Sequence, residues 1–301
     1  MATAPGVRPA ELPRPFPGVL VDHCTGADGS RVVLELDFVP LPPDAGKGFE
    51  FAADGLRAAP DALPPDAVRR FGGYLGFAWE SERRGAADEG RPAYGARAVL
   101  RRAQRHGAGD AGSVDRVLNA AADLLADEVW DALAAGRMPR PVGRGALERP
   151  PALPRALPGL FVDHVMQTSC SGLFSVVWAD AEPLPVDAAE DFDFVADLPA
   201  TCRQPGTPLP REFAAAFGAG VRAMWERRGR GRPPFAARVV MRDAIWSEVD
   251  SSEHGFHAAG VIVAMEVLRC IADGREPRPV GRRSGRHRGA APPMPRNRPP
   301  A

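Results

Sequence analysis

Phe16-Pro-Gly-Val-Leu-Val-Asp-His23 recurs later in the chain as Leu157-Pro-Gly-Leu-Phe-Val-Asp-His164. Further stretches recur in the same order: Gly48-Phe-Glu-Phe51 returns as Asp191-Phe-Asp-Phe194, and Pro139-Arg-Pro-Val-Gly-Arg144 returns as Pro277-Arg-Pro-Val-Gly-Arg282. The period is roughly 140 residues, whereas stacking repeats have periods of roughly 20–50 residues. Each copy is therefore expected to be a whole domain.

The repeat sets the expected domain organisation. We predict a first domain over residues 16–144 and a second over residues 157–276, joined by a Pro- and Arg-rich linker over residues 145–156. Residues 1–15 and the Pro-, Gly- and Arg-rich residues 277–301 are expected to be disordered. The length of 301 residues and the hydrophobic share of 45% suit two soluble cores.

The hydrophobic pattern of each copy predicts the order strand, helix, strand, helix. Apolar residues recur at every second position over residues 31–39, which is typical of a half-buried strand, and residues 173–181 take this place in the second copy. The later strands are predicted near residues 96–103 and 237–245. Each copy has two amphipathic helices, whose apolar faces include Val68, Phe71, Leu75 and Trp79; Leu118, Leu125 and Val129; Phe213, Phe217, Val221 and Trp225; Phe256, Val263 and Val267. The predicted fold class is α+β, with two tandem two-layer α/β sandwich domains.

Charge is distributed unevenly although the formal net charge is zero. After Pro277 the chain has no acidic residue but seven arginines, namely Arg278, Arg282, Arg283, Arg286, Arg288, Arg296 and Arg298. The preceding body is therefore mildly acidic, which does not steer a protein toward nucleic acid. The basic tail fits either a solvated disordered segment or a nucleic-acid contact.

Cysteine usage and hydropathy indicate the compartment. Cys24, Cys170, Cys202 and Cys270 form no C-x-x-C pair, so the sequence supports neither a zinc ribbon nor a thioredoxin-type site. No charged stretch followed by an apolar core begins the chain, and no apolar run reaches the length of a membrane span. We expect a reducing cytoplasm and no membrane partner.

Three stretches of the second copy resemble a known family. The chain reads Thr207-Pro-Leu-Pro-Arg-Glu-Phe213 before a predicted helix, then Arg238-Val-Val-Met-Arg-Asp243, then Glu248-Val-Asp-Ser-Ser-Glu253 before the final helix. In this order they resemble domain IV of translation elongation factor G, over about residues 173–273. The first copy is similar to the same domain through fewer residues, among them Gly48-Phe-Glu-Phe51.

The resemblance implies a fold and a partner. The fold is a four-stranded sheet with two helices on one face and a left-handed crossover, as in ribosomal protein S5 domain 2. The partner is the ribosome, because the tip loops of this domain in elongation factor G touch messenger and transfer RNA at the decoding centre. Carried over by position, the RNA-contacting residues are Gly206, Thr207 and Pro208 in one loop, and Trp246, Ser247 and Glu248 in the other.

The chain departs from the family at two points. The family's Gly-Ser-Tyr-His loop reads Ala244-Ile-Trp-Ser247, so a serine replaces the tip histidine. The sequence also has no G-x-x-x-x-G-K-[ST] phosphate loop, and Lys47 is its only lysine, so GTP hydrolysis of the usual kind is not expected.

Other motifs allow a functional and a structural interpretation. Gly107-x-Gly109-x-x-Gly112 lies between a predicted strand and a helix, where it fits either a flexible turn or the phosphate-binding loop of an enzyme. Asp250-Ser-Ser-Glu253 is interpreted as a helix cap, because an acid or serine there accepts hydrogen bonds from the first turn.

The histidines are candidates for a metal site or a catalytic dyad. His254 and His257 lie one helical turn apart, but no third ligand is spaced to complete a metal site, which favours a solvated first turn. Asp22-His23 and Asp163-His164 recur with the repeat, and no nucleophile is identifiable beside them. We therefore predict no catalytic residue, no metal and no cofactor.

Arginines alternate on one strand of each copy. Arg97 and Arg101, with their counterparts Arg238 and Arg242, form either a basic face for the RNA backbone or a solvated sheet face.

Three functions remain. The first is a non-GTPase, translation-related protein that associates with the ribosome through domains like those of elongation factor G. The second is an interaction scaffold that kept the fold without binding ribosomes, which the acidic body and Ser247 favour. The third is a phosphate-binding enzyme of a related fold, which the Gly107–Gly112 motif favours.

Overall fold

The repeated Pro-Gly motif begins an edge strand in each of two units. The computed structural model describes residues 10–25, 30–41, 48–54, 56, 61–107, 109–167, 172–287 and 290–295. The chain divides into a first unit, Met1–Glu148, and a second unit, Arg149–Ala301. The elements of the first unit are β1 Ala10–Glu11, β2 Phe16–Thr25, β3 Ser30–Val39, β4 Phe49–Ala52, α1 Pro65–Asp88, β5 Tyr94–His106 and α2 Ala111–Ala134.

The second unit repeats this order of elements. They are β6 Leu157–Gln167, β7 Gly172–Pro183, β8 Phe192–Ala196, α3 Arg211–Arg228, β9 Ala237–Ile245 and α4 Glu253–Asp273. The sheets also share one order, β2-β3-β5-β4 and β6-β7-β9-β8. In each sheet the first three strands are antiparallel and the fourth is parallel to its neighbour. Two helices and one face of the sheet form each core, which confirms the predicted α+β sandwich class.

Strands β2 and β6 were not among the predicted strands, although the repeat marks their sequence. A bulge interrupts each of them, between Phe16 and Val19 and between Leu157 and Leu160. Gly18 and Gly159 adopt φ values of +63° and +73° there, which residues with a side chain rarely adopt. The bulge shifts the alternation of apolar residues, so the period-two pattern that marks a strand is lost.

The start of each unit lies before the predicted domain boundary. Strand β1 pairs in parallel with β5, and Leu12 beside it is buried. In the second unit Leu153 is buried in the same way, and its N–H donates to Ala236 O at 3.1 Å. Residues 10–15 and 151–156 therefore belong to the folded units rather than to a disordered start or a linker. Residues 1–9 lie outside the described residues.

A closing segment, Arg140–Arg144 in the first unit and Arg278–Arg283 in the second, follows the final helix of each unit. Val142 N donates to Leu20 O at 3.0 Å, and Val280 N donates to Phe161 O at 3.0 Å. Each segment thus lies along the free edge of β2 or β6. The prediction that the chain is disordered from residue 277 is wrong for the described residues 277–287, because backbone hydrogen bonds hold them.

A buried glutamate anchors each closing segment to the final helix. Glu266 of α4 is 1% exposed, and its Oε1 accepts from Arg275 Nη1 at 2.6 Å and from Arg278 N at 2.9 Å. Burial alone would raise the pKa of Glu266, but the hydrogen bonds from Arg275 and Arg278 outweigh it and lower that pKa. Glu128 of α2 is bonded in the same way to Arg137 and to Arg140 N.

The helices of the second unit approach closely at two glycines. A Cβ atom at Gly220 would lie 2.1 Å from His257 O, and one at Gly260 would lie 2.1 Å from Phe217 O. Since no side chain fits at either position, the backbones of α3 and α4 pack directly. Trp225 closes this interface, because its Nε1 donates to Ala264 O at 3.1 Å.

Helix α4 is long and apolar enough to cross a membrane by length and composition alone, which the sequence analysis did not register. Half of its most apolar stretch is buried in the second unit, and Phe256, Val263 and Val267 belong to the core. These contacts are those of a core helix.

The repeated Asp–His pairs lie on β2 and β6. His23 is 2% exposed, and Arg144 N of the closing segment donates to its Nδ1 at 3.5 Å. Burial, and then the charge of Arg144, lower the pKa of His23 to about 4. Asp22 instead forms an ion pair with Arg31. The Asp22–His23 pair therefore has a structural role, in which His23 helps to fix the closing segment of the first unit.

We expect Glu266→Ala to destabilise the second unit by about 3–5 kcal/mol, because it leaves buried hydrogen-bond donors unpaired. Asp273→Ala is the matched control, since Asp273 also pairs with Arg275 but is largely exposed, and its loss should cost less than about 1 kcal/mol. Urea unfolding measures both values, and hydrogen exchange assigns the transition to the second unit. Equal effects of the two substitutions would contradict the anchoring role.

We expect the first unit to lose up to roughly 3 kcal/mol of stability as the pH falls from about 6.5 to about 4, through His23. In this window the unfolded histidine binds a proton and the folded one does not, so lower pH favours unfolding. His23→Gln should flatten this part of the pH profile, whereas His106→Gln, at an exposed position of the same unit, should leave it unchanged. Hydrogen exchange of the β2 and β3 amides across this range measures the effect.

Candidate functional site

The two loops predicted to contact RNA meet at one end of the second unit, here called the loop end. The first loop, residues 203–210, leads into α3, and the second, residues 246–252, leads into α4. They lie side by side, because Trp246 N donates to Gln204 O at 3.2 Å. Gly206, Thr207, Pro208 and Glu248 are all exposed there.

The first loop is a tight turn anchored in the core. Cys202 N donates to Thr207 O at 3.0 Å, and Gly206 N donates to Cys202 O at 3.1 Å. The Cys202 side chain is 1% exposed, and burial raises the pKa of its thiol. The backbone of the buried Cys202 thus closes the turn, and residues 203–208 are exposed to solvent.

The structure contradicts the expected position of Trp246 at the exposed tip. The residue is 7% exposed and belongs to the core of the second unit. Its ring lies edge-on to Phe213 at 5.9 Å between centroids, and Phe213 stacks on Phe256 at 5.1 Å. These three rings come from the start of α3, the start of α4 and the loop between β9 and α4. Trp246 thus fixes the loop end from inside, because burial among aromatic rings is favoured over exposure.

Ser247, which the resemblance aligned with a tip histidine, is engaged within its own loop. Its Oγ accepts from Val249 N at 3.3 Å and Asp250 N at 3.2 Å, and its N–H donates to Ser251 Oγ at 2.9 Å. The exposed residues of this loop are instead Glu248 and Val249, the latter 89% exposed. The side chains that remain available to a partner are therefore those two.

The Asp250–Glu253 motif caps α4, as predicted. The N-cap is Ser252, whose side chain accepts from Gly255 N at 3.2 Å, and Glu253 lies in the first turn. The cap satisfies donors of the first turn, so its role is structural.

Charges of both signs surround the loop end. Arg203 and Arg211 are exposed on the side of the first loop, whereas Glu212, Glu248 and Glu253 are exposed around the helix starts. A contact with the RNA backbone at this end therefore depends on the two arginines.

The proposed basic face is largely neutralised by neighbouring acids. Arg242 Nε donates to Asp180 at 2.7 Å, and the same guanidinium contacts Asp197 at 2.8 Å and Glu182 at 3.1 Å. Arg238 pairs with Asp193 at 2.7 Å, and Arg101 pairs with Asp37 at 2.7 Å. Arg97 lies opposite Glu50 in the sheet register. This arrangement favours a solvated, ion-paired sheet face.

The glycine motif of the first unit is a capped turn. Asp110 is the N-cap of α2, and its side chain accepts from Ser113 N at 2.8 Å. These hydrogen bonds lower the pKa of Asp110, so a carboxylate occupies the place where a phosphate would bind. Gly109 lies against Ser30, and Ala108 is outside the described residues. The turn interpretation is favoured over phosphate binding.

The histidine pair of α4 does not gather further ligands. His254 and His257 lie in its first turns, and the described part of the chain contains no cluster of three or more His, Cys, Asp or Glu residues that could hold a metal ion.

An aromatic surface on the outer face of the second sheet was not among the features predicted from the sequence. Phe161 and Trp178 lie there with ring centroids 4.8 Å apart, and they line a cavity of about 700 Å³. The two copies differ at these positions, and this difference is the signal in the sequence. Leu20 takes the place of Phe161 in the first unit, and Glu35 takes the place of Trp178.

Known proteins show a partial similarity to this chain. Over 107 residues, or 35% of the chain, it is 31% identical to elongation factor G of Pseudothermotoga lettingae, 30% identical to that of Thermotoga petrophila and 29% identical to that of Thermotoga maritima. A solved structure from Thermus thermophilus covers 57% of this chain and 22% of its own, at 16% identity and a TM-score of 0.29, which is too low to support an argument. No protein-family profile matches. The chain is therefore similar to elongation factor G in one region, which spans 14–15% of the length of these relatives.

Proposed function

We propose that this chain is a non-GTPase, translation-related protein with two tandem domains like domain IV of elongation factor G, and that it associates with cytoplasmic ribosomes. The observation that carries the proposal is the 107-residue similarity to elongation factor G, at up to 31% identity. The motifs that match the family domain lie in the second unit, which therefore provides the ribosome-facing end.

The internal repeat supports the view that both units are copies of one domain. They share the strand order, the Pro-Gly bulge and the buried glutamate that anchors the closing segment. The bulges are also bonded alike: Gly18 N donates to Asp37 and Gly159 N to Asp180, both at 2.8 Å. A duplication accounts for these paired details together.

The geometry of the loop end supports binding more than catalysis. The exposed turn at residues 203–208 is closed by the Cys202 backbone and lies beside the second loop, with Arg203 in the turn and Arg211 at the start of α3. Guanidinium groups in this position suit phosphate contacts, which position a protein on RNA. The proposed role is occupancy of a ribosomal site, without GTP hydrolysis by this chain.

An interaction scaffold is the second candidate, and the arginine pairs favour it. Arg238 and Arg242 are held by acids of the same sheet, and Ser247 takes the place of the tip histidine. A scaffold of this kind binds a protein partner and has no affinity for ribosomes.

Co-sedimentation with ribosomes across a KCl series tests the proposal. We expect the protein to pellet at low salt and to be released as salt rises, because phosphate contacts release counterions. The double variant Arg203→Glu/Arg211→Glu should abolish pelleting, and a single Arg203→Gln should reduce the slope of log K against log salt by about 0.7–0.9. Arg269→Glu is the control, since Arg269 is exposed near the far end of α4.

The arginine tail needs a separate control. A chain ending at Pro295 lacks Arg296 and Arg298 but keeps the closing segment, and it should pellet like the full chain. Pelleting that disappears with this truncation would assign the effect to tail charge. No pelleting of the full chain at low salt would overturn the ribosome proposal in favour of the scaffold.

A further inference from the structure

Part of the outer face of the second sheet is apolar, although the helices cover the other face. Phe161, Val176 and Trp178 form a cluster separate from the main core, and each is less than 9% exposed. Val165, Phe174 and Ile245 extend it along β6, β7 and β9. This aromatic face is here called the outer groove.

A proline-rich segment of the same chain covers the outer groove. Residues 290–295 read Ala-Ala-Pro-Pro-Met-Pro. Trp178 Nε1 donates to Pro292 O at 2.9 Å, and Met294 packs against the aromatic cluster. Pro293 and Pro295 line the same cavity.

Polar groups close one end of the groove. His287 lies edge-on to Phe161 at 4.9 Å, and its Nε2 is 2.9 Å from Asp163 Oδ2. Arg283 lies 4.0 Å from the other oxygen of Asp163. Asp163 therefore balances the charge of Arg283 at this end of the groove.

The covering segment does not fill the groove. The cavity of about 700 Å³ lies between the sheet, the proline segment, and Arg203 and Gln204 of the first loop. Open space therefore remains beside the proline segment.

The fold does not require this surface. In the first unit the position of Phe161 is taken by Leu20, and Glu35 lies opposite it where Trp178 lies opposite Phe161. Arg31 and Gln104 also face the solvent side of that sheet region. The same architecture thus forms with a polar outer face, and the aromatic residues of the second unit call for a separate explanation.

The chemistry of the contact identifies the ligand. Proline has no N–H, so a run of prolines presents carbonyl acceptors and flat apolar rings without donors that need partners. Aromatic-lined grooves recognise such extended segments by packing rings together and donating to a carbonyl. The Trp178 indole supplies both functions here.

We propose that the outer groove is a binding site for extended proline-rich peptides of a partner protein, and that residues 290–295 occupy it in cis. A partner peptide binds when it displaces this segment. The proposal does not depend on ribosome association, since the loop end and the outer groove use different residues apart from Arg203 and Gln204 at the rim.

The test compares the full chain with a chain that ends at His287. The probe is a fluorescently labelled peptide with the sequence of residues 289–298, followed by anisotropy. We expect the shortened chain to bind it, and the full chain to bind it at least about tenfold more weakly, because a tethered segment competes at high effective concentration. A peptide with alanine in place of its prolines should not bind.

Two matched substitutions in the shortened chain assign the site. Trp178→Phe keeps a ring but removes the indole donor, and it should weaken peptide binding about fivefold. Trp130→Phe changes a tryptophan in the core of the first unit, and it should leave the affinity unchanged.

A variant of the full chain keeps the test decisive if the shortened chain fails to fold. Pro292→Gly/Pro293→Gly should weaken the cis contact and so increase binding of the labelled peptide over the wild type. Failure of every folded variant to bind the peptide would overturn the proposal. Binding of single-stranded poly(U) to the uncovered groove, in place of the peptide, would also overturn it.

Discussion

The buried carboxylate of Glu266 is the interaction on which the rest of the second unit depends. It joins the end of α4 to Arg275 and to Arg278 N, and so turns the chain back onto the edge of β6. An unpaired charge in this position would cost several kcal/mol, so the turn and the ion pair form together. From there the chain reaches the outer face of the sheet. Glu128 makes the corresponding contacts in the first unit, to Arg137 and to Arg140 N.

The sequence predicted those parts of the fold that local patterns determine. Phe71, Leu75 and Trp79 recur at helical spacing, and all three are fully buried as expected. Strand β2 was missed because the bulge at Gly18 breaks the alternation. The closing segment of the second unit was wrongly predicted to be disordered, because its composition is rich in Pro and Arg. Backbone hydrogen bonds to a strand more than a hundred residues away in the sequence hold it in place. Long-range pairing of this kind leaves no local signal.

The sequence singled out the two loops of the candidate site, but not their internal arrangement. Family resemblance located both loops, and the structure brings them together through Trp246 N and Gln204 O. The family resemblance did not show that the Trp246 ring points inward. That orientation depends on Phe213 and Phe256, which belong to two different helices. The acids that neutralise Arg242 also come from two parts of the chain, Asp180 and Glu182 on β7 and Asp197 after β8. The second unit thus combines two adjoining loops at one end with an aromatic face that the first unit lacks.

The closing segments have a consequence for how two similar domains coexist in one chain. Strands β2 and β6 are edge strands with related sequences, and an open edge is a template for pairing with a foreign strand. Neighbouring repeats in one chain are especially prone to such misassembly while they fold during synthesis. Val142 and Val280 occupy these edges with backbone hydrogen bonds from the unit's own chain. The closing segment of each unit therefore disfavours exchange of edge strands between the two units.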